Sequence, residues 1–197
     1  LAIIETGLPH MGADGIYYTR SPLYHYGSAM FALLFGPSTW VLRLPSVLFG
    51  GATCGLLFWL GSSVLRRPGI GLAAAALFAI HPYAVFTGHV ARFYQQQQFF
   101  ALWTIGLLVL GFVRGESTRL RIATLVVFLA AVLSQEISAL LGFVLLAAFL
   151  FFRQRRRFLD DWPCVVVGFW ILGIIALDYL AFRILCQTRT EAASTSV

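Results

Sequence analysis

The chain contains no lysine. All fourteen of its basic side chains are arginines, set against eight acids, and charged residues make up only 11% of the sequence. Hydrophobic residues make up 59% of it, with a mean hydropathy of +0.84. A soluble domain of this length could not hide so much apolar surface, so the scarcity of charge excludes an ordinary aqueous globule and makes the bilayer the solvent. The net charge of +6 invites a nucleic-acid reading, but the arginines punctuate apolar runs and form neither a stripe nor an arm. They speak for membrane orientation and against nucleic acid. Cysteine is scarce too: Cys54, Cys164 and Cys186 lie far apart and read as small apolar fillers. Neither these nor His10, His25, His81 and His89 have metal-ligand spacing, so no cofactor is expected and a divalent metal lacks a supporting pattern. No signal-peptide pattern is present. A start at Leu1 amid mixed polar residues and a polar tail at the other end read as a piece of a longer polytopic protein.

What is there is a series of apolar runs, at about 40–65, 69–88, 93–113, 118–134, 137–152 and 163–184. A helix crosses the hydrocarbon core with ~20 apolar residues. The two runs flanking Gln135-Glu136 are short, and could instead be one helix from Ile122 to Phe152, about 46 Å long at ~1.5 Å per residue. That helix would bury Glu136 near its middle and split the arginines between two faces. Two helices meeting at a turn avoid both problems. With six spans, Arg66-Arg67, then Arg114, Arg119 and Arg121, then Arg153 and Arg155 to Arg157 all fall on one face, cytoplasmic by the positive-inside rule. Pro68-Gly69 breaks the chain at the first inner turn, and Ser117-Thr118 offers caps at the second. Residues 22–36 are apolar and Tyr-rich but short for a span, and inserting them would reverse every later loop. They read as an interfacial helix on the outer face, ending at the Gly36-Pro37-Ser38 turn. The expected fold is an all-α, polytopic transmembrane bundle. One domain covers 1–197, with outer-loop residues 1–38, about six spans over 39–185 and an outer loop or tail over 186–197.

Between the second and third runs lies a polar block, His81-Pro-Tyr-Ala-Val-Phe-Thr-Gly-His89 followed by Val-Ala-Arg92-Phe-Tyr94 and four glutamines, Gln95 to Gln98. On a helix Arg92, Gln95, Gln96 and Phe99 would share a face. An arginine fork beside amides suits a phosphate or a sugar hydroxyl array at the membrane surface. Interfacial decoration of helix ends is the competing reading. Arg20, after Tyr17-Tyr18-Thr19, and Arg43 lie on the same outer side, as snorkelling anchors or as phosphate contacts. Three arginines on the side that should be poor in them point to an anionic partner there. Among the acids, Glu136 at the outer turn and Asp178 in the last span are functional candidates by position. Capping of the turn and a local pair with an arginine are their structural alternatives. Asp14, in the outer loop, needs no explanation.

The order Gly-Leu-Pro (7–9), Tyr-Tyr-Thr-Arg-Ser-Pro-Leu-Tyr (17–24), Leu-Phe-Gly-Pro-Ser (34–38), Arg-Leu-Pro-Ser-Val-Leu-Phe-Gly (43–50), Arg-Arg (66–67), His-Pro-Tyr (81–83) and Ala-Arg-Phe-Tyr (91–94) resembles the dolichyl-phosphate-mannose–protein mannosyltransferase family. Its bacterial relatives include the lipid A aminoarabinose transferase. The resemblance covers roughly residues 5 to 115; beyond them only hydropathy agrees. It implies a C-type glycosyltransferase fold in a bacterial cytoplasmic membrane, with a periplasmic active site. There a sugar passes from a polyprenyl-phosphate carrier to a protein, lipid or glycan acceptor. It further implies that Arg20 contacts the carrier phosphate and that Arg92 and Tyr94 line the donor site; Gln95, by its helical spacing from Arg92, and His89 are the further substrate-binding candidates. The family's acid, early in the first outer loop, would lie before Leu1. A second acid expected near the Ala-Arg motif is absent, since Val90 and Tyr94-Gln95 occupy that neighbourhood. His89 and Glu136 are the substitutes at hand. The chain reads as the binding half of a site whose catalytic acid is elsewhere, and as inactive alone. A transporter or a non-catalytic scaffold is the rival; a transporter calls for polar, broken helices at the midplane and paired repeats.

Overall fold

A computed structural model of the chain describes residues 10–11, 16–17, 21–153 and 158–194. Arg20, Asp14 and the Arg155–Arg157 cluster lie outside the described residues. Apart from a two-residue antiparallel ladder, β1 (His10–Met11) with β2 (Ile16–Tyr17), the described chain is helical. The helices are α1 (Pro22–Phe35), α2 (Thr39–Trp59, widening to π-type bonding over Leu60–Val64), α3 (Pro68–Ile80), α4 (Pro82–His89) and α5 (Tyr94–Leu108, π-type over Val109–Val113). After them come α6 (Thr118–Ser134), a 3₁₀ turn (Glu136–Leu140), α7 (Leu141–Arg153) and α8 (Phe158–Ser194).

Local chemistry sets most of these limits. The Ser38 hydroxyl accepts from the Val41 N–H and the Ser117 hydroxyl from the Leu120 N–H, so each caps the helix it precedes. Gly36 adopts φ 86°, a conformation costly to any residue with a Cβ, and reverses the chain between α1 and α2. Gln135 is extended, with φ −163° and ψ 131°, and interrupts the helix between α6 and the 3₁₀ turn. Gly142 of α7 then faces Phe128 of α6, so the chain doubles back and the two-helix expectation holds.

One expected run is corrected. Residues 69–88 do not form a single straight helix: α3 and α4 meet at 60°. Proline has no N–H and pushes the residue before it out of the helical region, and His81 accordingly sits at φ −68°, ψ 123°.

By length and composition, three helical stretches among the described residues can cross a membrane: Thr39–Val64, Tyr94–Val113 and Trp162–Leu180. The bent α3–α4 pair would be a fourth. Helix α6 is shorter than a full span and carries Arg119 and Arg121 in its first turn, while Glu136–Ala148 is a shorter apolar helix. The helices pack through small residues. A Cβ on Gly61 would lie 2.1 Å from the Gly71 Cα, and one on Gly111 would lie 2.9 Å from the Arg121 amide nitrogen. Such close backbone approach is how helices associate where the surroundings are as apolar as their own side chains. Leu108, Phe112, Phe128, Val132, Leu145, Ala148 and Ile171 form the core that joins α5, α6, α7 and α8.

The two ends of the bundle differ. At one end Arg114 donates to the Ser63 carbonyl at 3.2 Å and to that of Val64, carbonyls that the end of α2 leaves open. The backbone at Arg121 packs on Gly111 nearby. Arg66, Arg67, Arg114 and Arg121 therefore share an end. The opposite end holds α1, the start of α2, the α4–α5 connection and the 3₁₀ turn, which Gln97 joins by donating to Ser138 at 3.3 Å.

Candidate functional site

At that opposite end, residues 90–93 form a bend between α4 and α5, and helical structure begins only at Tyr94. Arg92 is thus not on the helix. Its N–H donates to the Val90 carbonyl at 2.7 Å, a turn the chain must make after α4 ends with Val90 extended at ψ 128°. The expected common face of Arg92, Gln95, Gln96 and Phe99 is corrected accordingly. Arg92 is exposed on the bend, whereas Gln95 and Gln96 point into the packing, at 1% and 4% exposure.

Two contacts fix the bend. The Arg92 guanidinium donates to the Tyr94 hydroxyl at 3.4 Å. Behind it, the Ser46 hydroxyl on α2 donates to the Arg92 carbonyl at 3.0 Å. A serine has one proton, and the carbonyl can only accept, so the neighbouring Tyr24 hydroxyl, 3.3 Å away, must be the donor to Ser46. Tyr24 too has one proton, which it shares between Ser46 and the Leu42 carbonyl at 3.4 Å. Ser46 is fully buried and Tyr24 nearly so. Burial raises the Tyr24 hydroxyl above its ordinary pKa, so it stays protonated and can donate. One short chain of hydroxyls therefore runs from α1 through α2 to the backbone that carries Arg92.

The glutamines do structural work. Gln95 Nε2 donates to the Ala84 carbonyl at 2.7 Å and to Thr87 Oγ1 at 2.8 Å, binding α5 to α4 across the bend. Gln95 and His89 line a groove of about 250 Å³ between α2, α3 and α4, together with Val47, Gly51, Cys54 and Phe78 among others. Arg92 and Tyr94 do not line it. The structure therefore divides the expected site: Arg92 and Tyr94 are together on the bend, His89 and Gln95 are together in the groove, and Arg20 lies outside the described residues.

Of the remaining candidates, Glu136 is exposed at the turn that Gln97 reaches through Ser138. Asp178 is half-buried on α8, whose apolar stretch is mostly uncovered. Arg43 lies over the Trp40 ring at 5.9 Å. Among the described residues, no three His, Cys, Asp or Glu side chains gather as a metal site. Sequence reasoning missed Tyr24 and Ser46. The available signal was a serine directly after Pro45 in an otherwise apolar run, a polar atom that needs a partner once buried.

Compared with known proteins, residues 19–179 match the family model described as dolichyl-phosphate-mannose-protein mannosyltransferase. No curated protein and no solved structure matches the chain.

Proposed function

We propose, from the premise that this chain belongs to the dolichyl-phosphate-mannose-protein mannosyltransferase family, that it forms the donor-binding part of a membrane glycosyltransferase. The donor is a sugar on a polyprenyl phosphate, and the acceptor is a hydroxyl or phosphate of a protein, lipid or glycan. Six spans of the C-type glycosyltransferase arrangement, with the Arg92 end on the outer face of a bacterial cytoplasmic membrane, are the corresponding topology. The gathering of Arg66, Arg67, Arg114 and Arg121 at the other end supports that orientation. Helix α1 supports the surface assignment: Tyr24, Ser28 and Ala32 face the bundle, while Met30, Leu33, Leu34 and Phe35 are exposed.

The observation that carries the reading is Arg92, exposed on a bend whose backbone is pinned by Ser46 and whose guanidinium is steadied by Tyr94. In transfer, the bond between the anomeric carbon and the carrier phosphate breaks as the acceptor oxygen attacks. Negative charge collects on the leaving phosphate. A guanidinium held in place beforehand stabilises that charge without reorganising during the step. Arg20, preceding the Pro22–Leu23 start of α1, is the second cation of this assignment. For the residue that deprotonates or orients the acceptor, His89 and Glu136 are the candidates within the chain.

The test is transfer from a polyprenyl-phosphate sugar by the full-length protein carrying Arg92→Ala or Arg20→Ala. Loss of one such preorganised contact should lower transfer by ~10²–10³-fold with expression unchanged. Wild-type transfer by both variants would reject the site. The 60° break between α3 and α4 favours a second reading as a transporter, in which a broken span frames the substrate. Sugar flux into sealed proteoliposomes without transfer would select it.

A further inference from the structure

Helices α2 and α5 both run to the arginine-rich end and stop there in the same way, after π-type bonding. At the end of α2 the Leu65 N–H donates to the Leu60 carbonyl and the Arg67 N–H to that of Gly61. At the end of α5 the Arg114 N–H donates to the Val109 carbonyl and the Glu116 N–H to that of Leu110. Such a stop puts the residue between the two donors in the left-handed region, where a Cβ is costly and glycine is the usual occupant. Helix α5 has Gly115 in that place, at φ 68°. Helix α2 has Arg66, at φ 57°.

Arginine is thus kept at a cost that the neighbouring helix avoids, and strain of this kind collects at functional positions. Capping α2 does not account for it. The open carbonyls of Ser63 and Val64 already accept from the Arg114 guanidinium, which answers the negative end of that helix. Membrane orientation does not account for it either, since orientation asks for positive charge near this end and not at this residue. Among the described residues neither Arg66 nor Arg67 has an ion pair, whereas Arg114 lies 3.7 Å from Glu116. Both are exposed, and so are the apolar residues on either side of them, Leu65 at 57% and Ile70 at 47%. Helix α3 begins at the same turn with no side-chain cap from Arg67, so its positive end adds to the two guanidinium groups.

We propose that the Arg66-Arg67 turn binds the headgroup of an anionic phospholipid, with the guanidinium groups on its phosphate and Leu65 and Ile70 against its acyl chains. Guanidinium forks match phosphate oxygens in pairs. With two cations and no acid paired to them, a headgroup that brings its own cation is the poorer fit. A free phosphate would leave the exposed apolar pair unused. The site lies at the opposite end of the bundle from the Arg92 bend and does not depend on sugar transfer.

The experiment titrates the full-length protein in neutral detergent with dioleoylphosphatidylglycerol, with dioleoylphosphatidylcholine and with glycerophosphoglycerol, the headgroup without its chains. Native mass spectrometry counts the bound molecules. Phosphatidylglycerol should bind most tightly, and Arg66→Gly should weaken it about fivefold, the worth of one basic residue at an anionic surface. Adding Arg67→Gln should bring the loss to about 25-fold. Glycine suits the left-handed position, so lipid-free Arg66→Gly should unfold no earlier than the parent, which separates lost binding from lost folding. Arg119→Gln removes the same charge from α6 and should weaken binding less. Undiminished binding by Arg66→Gly, equal loss in Arg119→Gln, equal affinity for phosphatidylcholine or for glycerophosphoglycerol, or earlier unfolding of Arg66→Gly would each overturn the proposal.

Discussion

Ser46→Ala is the sharpest probe of how the Arg92 bend is held. The substitution removes one oxygen from a fully buried position and with it two hydrogen bonds, the 3.0 Å bond to the Arg92 carbonyl and the 3.3 Å bond from Tyr24. Each is worth ~0.5–1.5 kcal/mol net. Tyr24 keeps the Leu42 carbonyl, so its proton is not left without an acceptor. The loss therefore falls toward the lower end, about 1–1.5 kcal/mol. If that loosening is felt by the guanidinium, transfer from a polyprenyl-phosphate sugar should drop about tenfold, since ~1.4 kcal/mol is a factor of ten.

Tyr24→Phe supplies the comparison. It removes the upstream bond but leaves the Ser46 hydroxyl on the Arg92 carbonyl, so its effect on transfer should be smaller than that of Ser46→Ala. The variants are compared at matched folded amounts, with thermal unfolding in detergent measured alongside. A loss confined to stability would mean that the hydroxyl chain merely docks α1. Unchanged transfer in folded Ser46→Ala, or a loss in Tyr24→Phe as large as in Ser46→Ala, would refute the reasoning.

Two further outcomes follow from the packing. In Gly71→Ala the new Cβ would stand 2.6 Å from the Phe58 carbonyl oxygen and 3.0 Å from the Gly61 Cα, all backbone that cannot rotate away. Overpacking of this kind costs ~1–3 kcal/mol or more, and thermal unfolding should show it, whereas Gly69→Ala, with open space at its Cβ, should unfold like the parent. His25, half-buried in the surface helix α1, is held below its ordinary pKa of 6.5 by burial. The unfolded chain therefore takes up the proton first, and the stability that neutral His25 permits is complete above pH 6.5 and lost as pH falls through the lower folded value. Unfolding temperature should decline on acidification below that point and decline less in His25→Gln; equal slopes would exclude His25 as the cause.

Much of the fold was legible because its boundaries are written in local chemistry. Ser38 and Ser117 cap the helices they precede, Gly36 makes the turn assigned to it, and Gln135 interrupts the apolar stretch where the charge of Glu136 made one long helix costly. The site was less legible. Helical spacing put Arg92 with Gln95 because periodicity assumes the helix has already begun, and the Val90–Phe93 bend removes that premise. Ser46 and Arg92 are 46 positions apart, and nothing in either neighbourhood announces a bond that exists only after α2 packs beside the bend. The Gly61–Gly71 contact is of the same kind: each glycine is unremarkable alone, and only the crossing of α2 and α3 makes a Cβ intolerable.

Pro82 links the two halves of the divided polar block. Because it bends the chain at His81, α4 leaves the axis of α3 by 60° and presents the Ala84 carbonyl and Thr87 hydroxyl sideways to α5. Within α4 the Thr87 hydroxyl donates back to the Tyr83 carbonyl at 2.9 Å, which leaves its oxygen to accept from Gln95. Gln95 can satisfy that pair only by turning inward, which is why it leaves the face expected for Arg92. With Gln95 held inside, the residues just before it must supply the exposed turn, and Arg92 is the cation that the turn carries outward. The elbow thus separates an inward amide from an outward guanidinium only three positions apart. A polar block that looked like one lining is two surfaces, an exposed bend that carries Arg92 and a mostly apolar groove that Gln95 and His89 border.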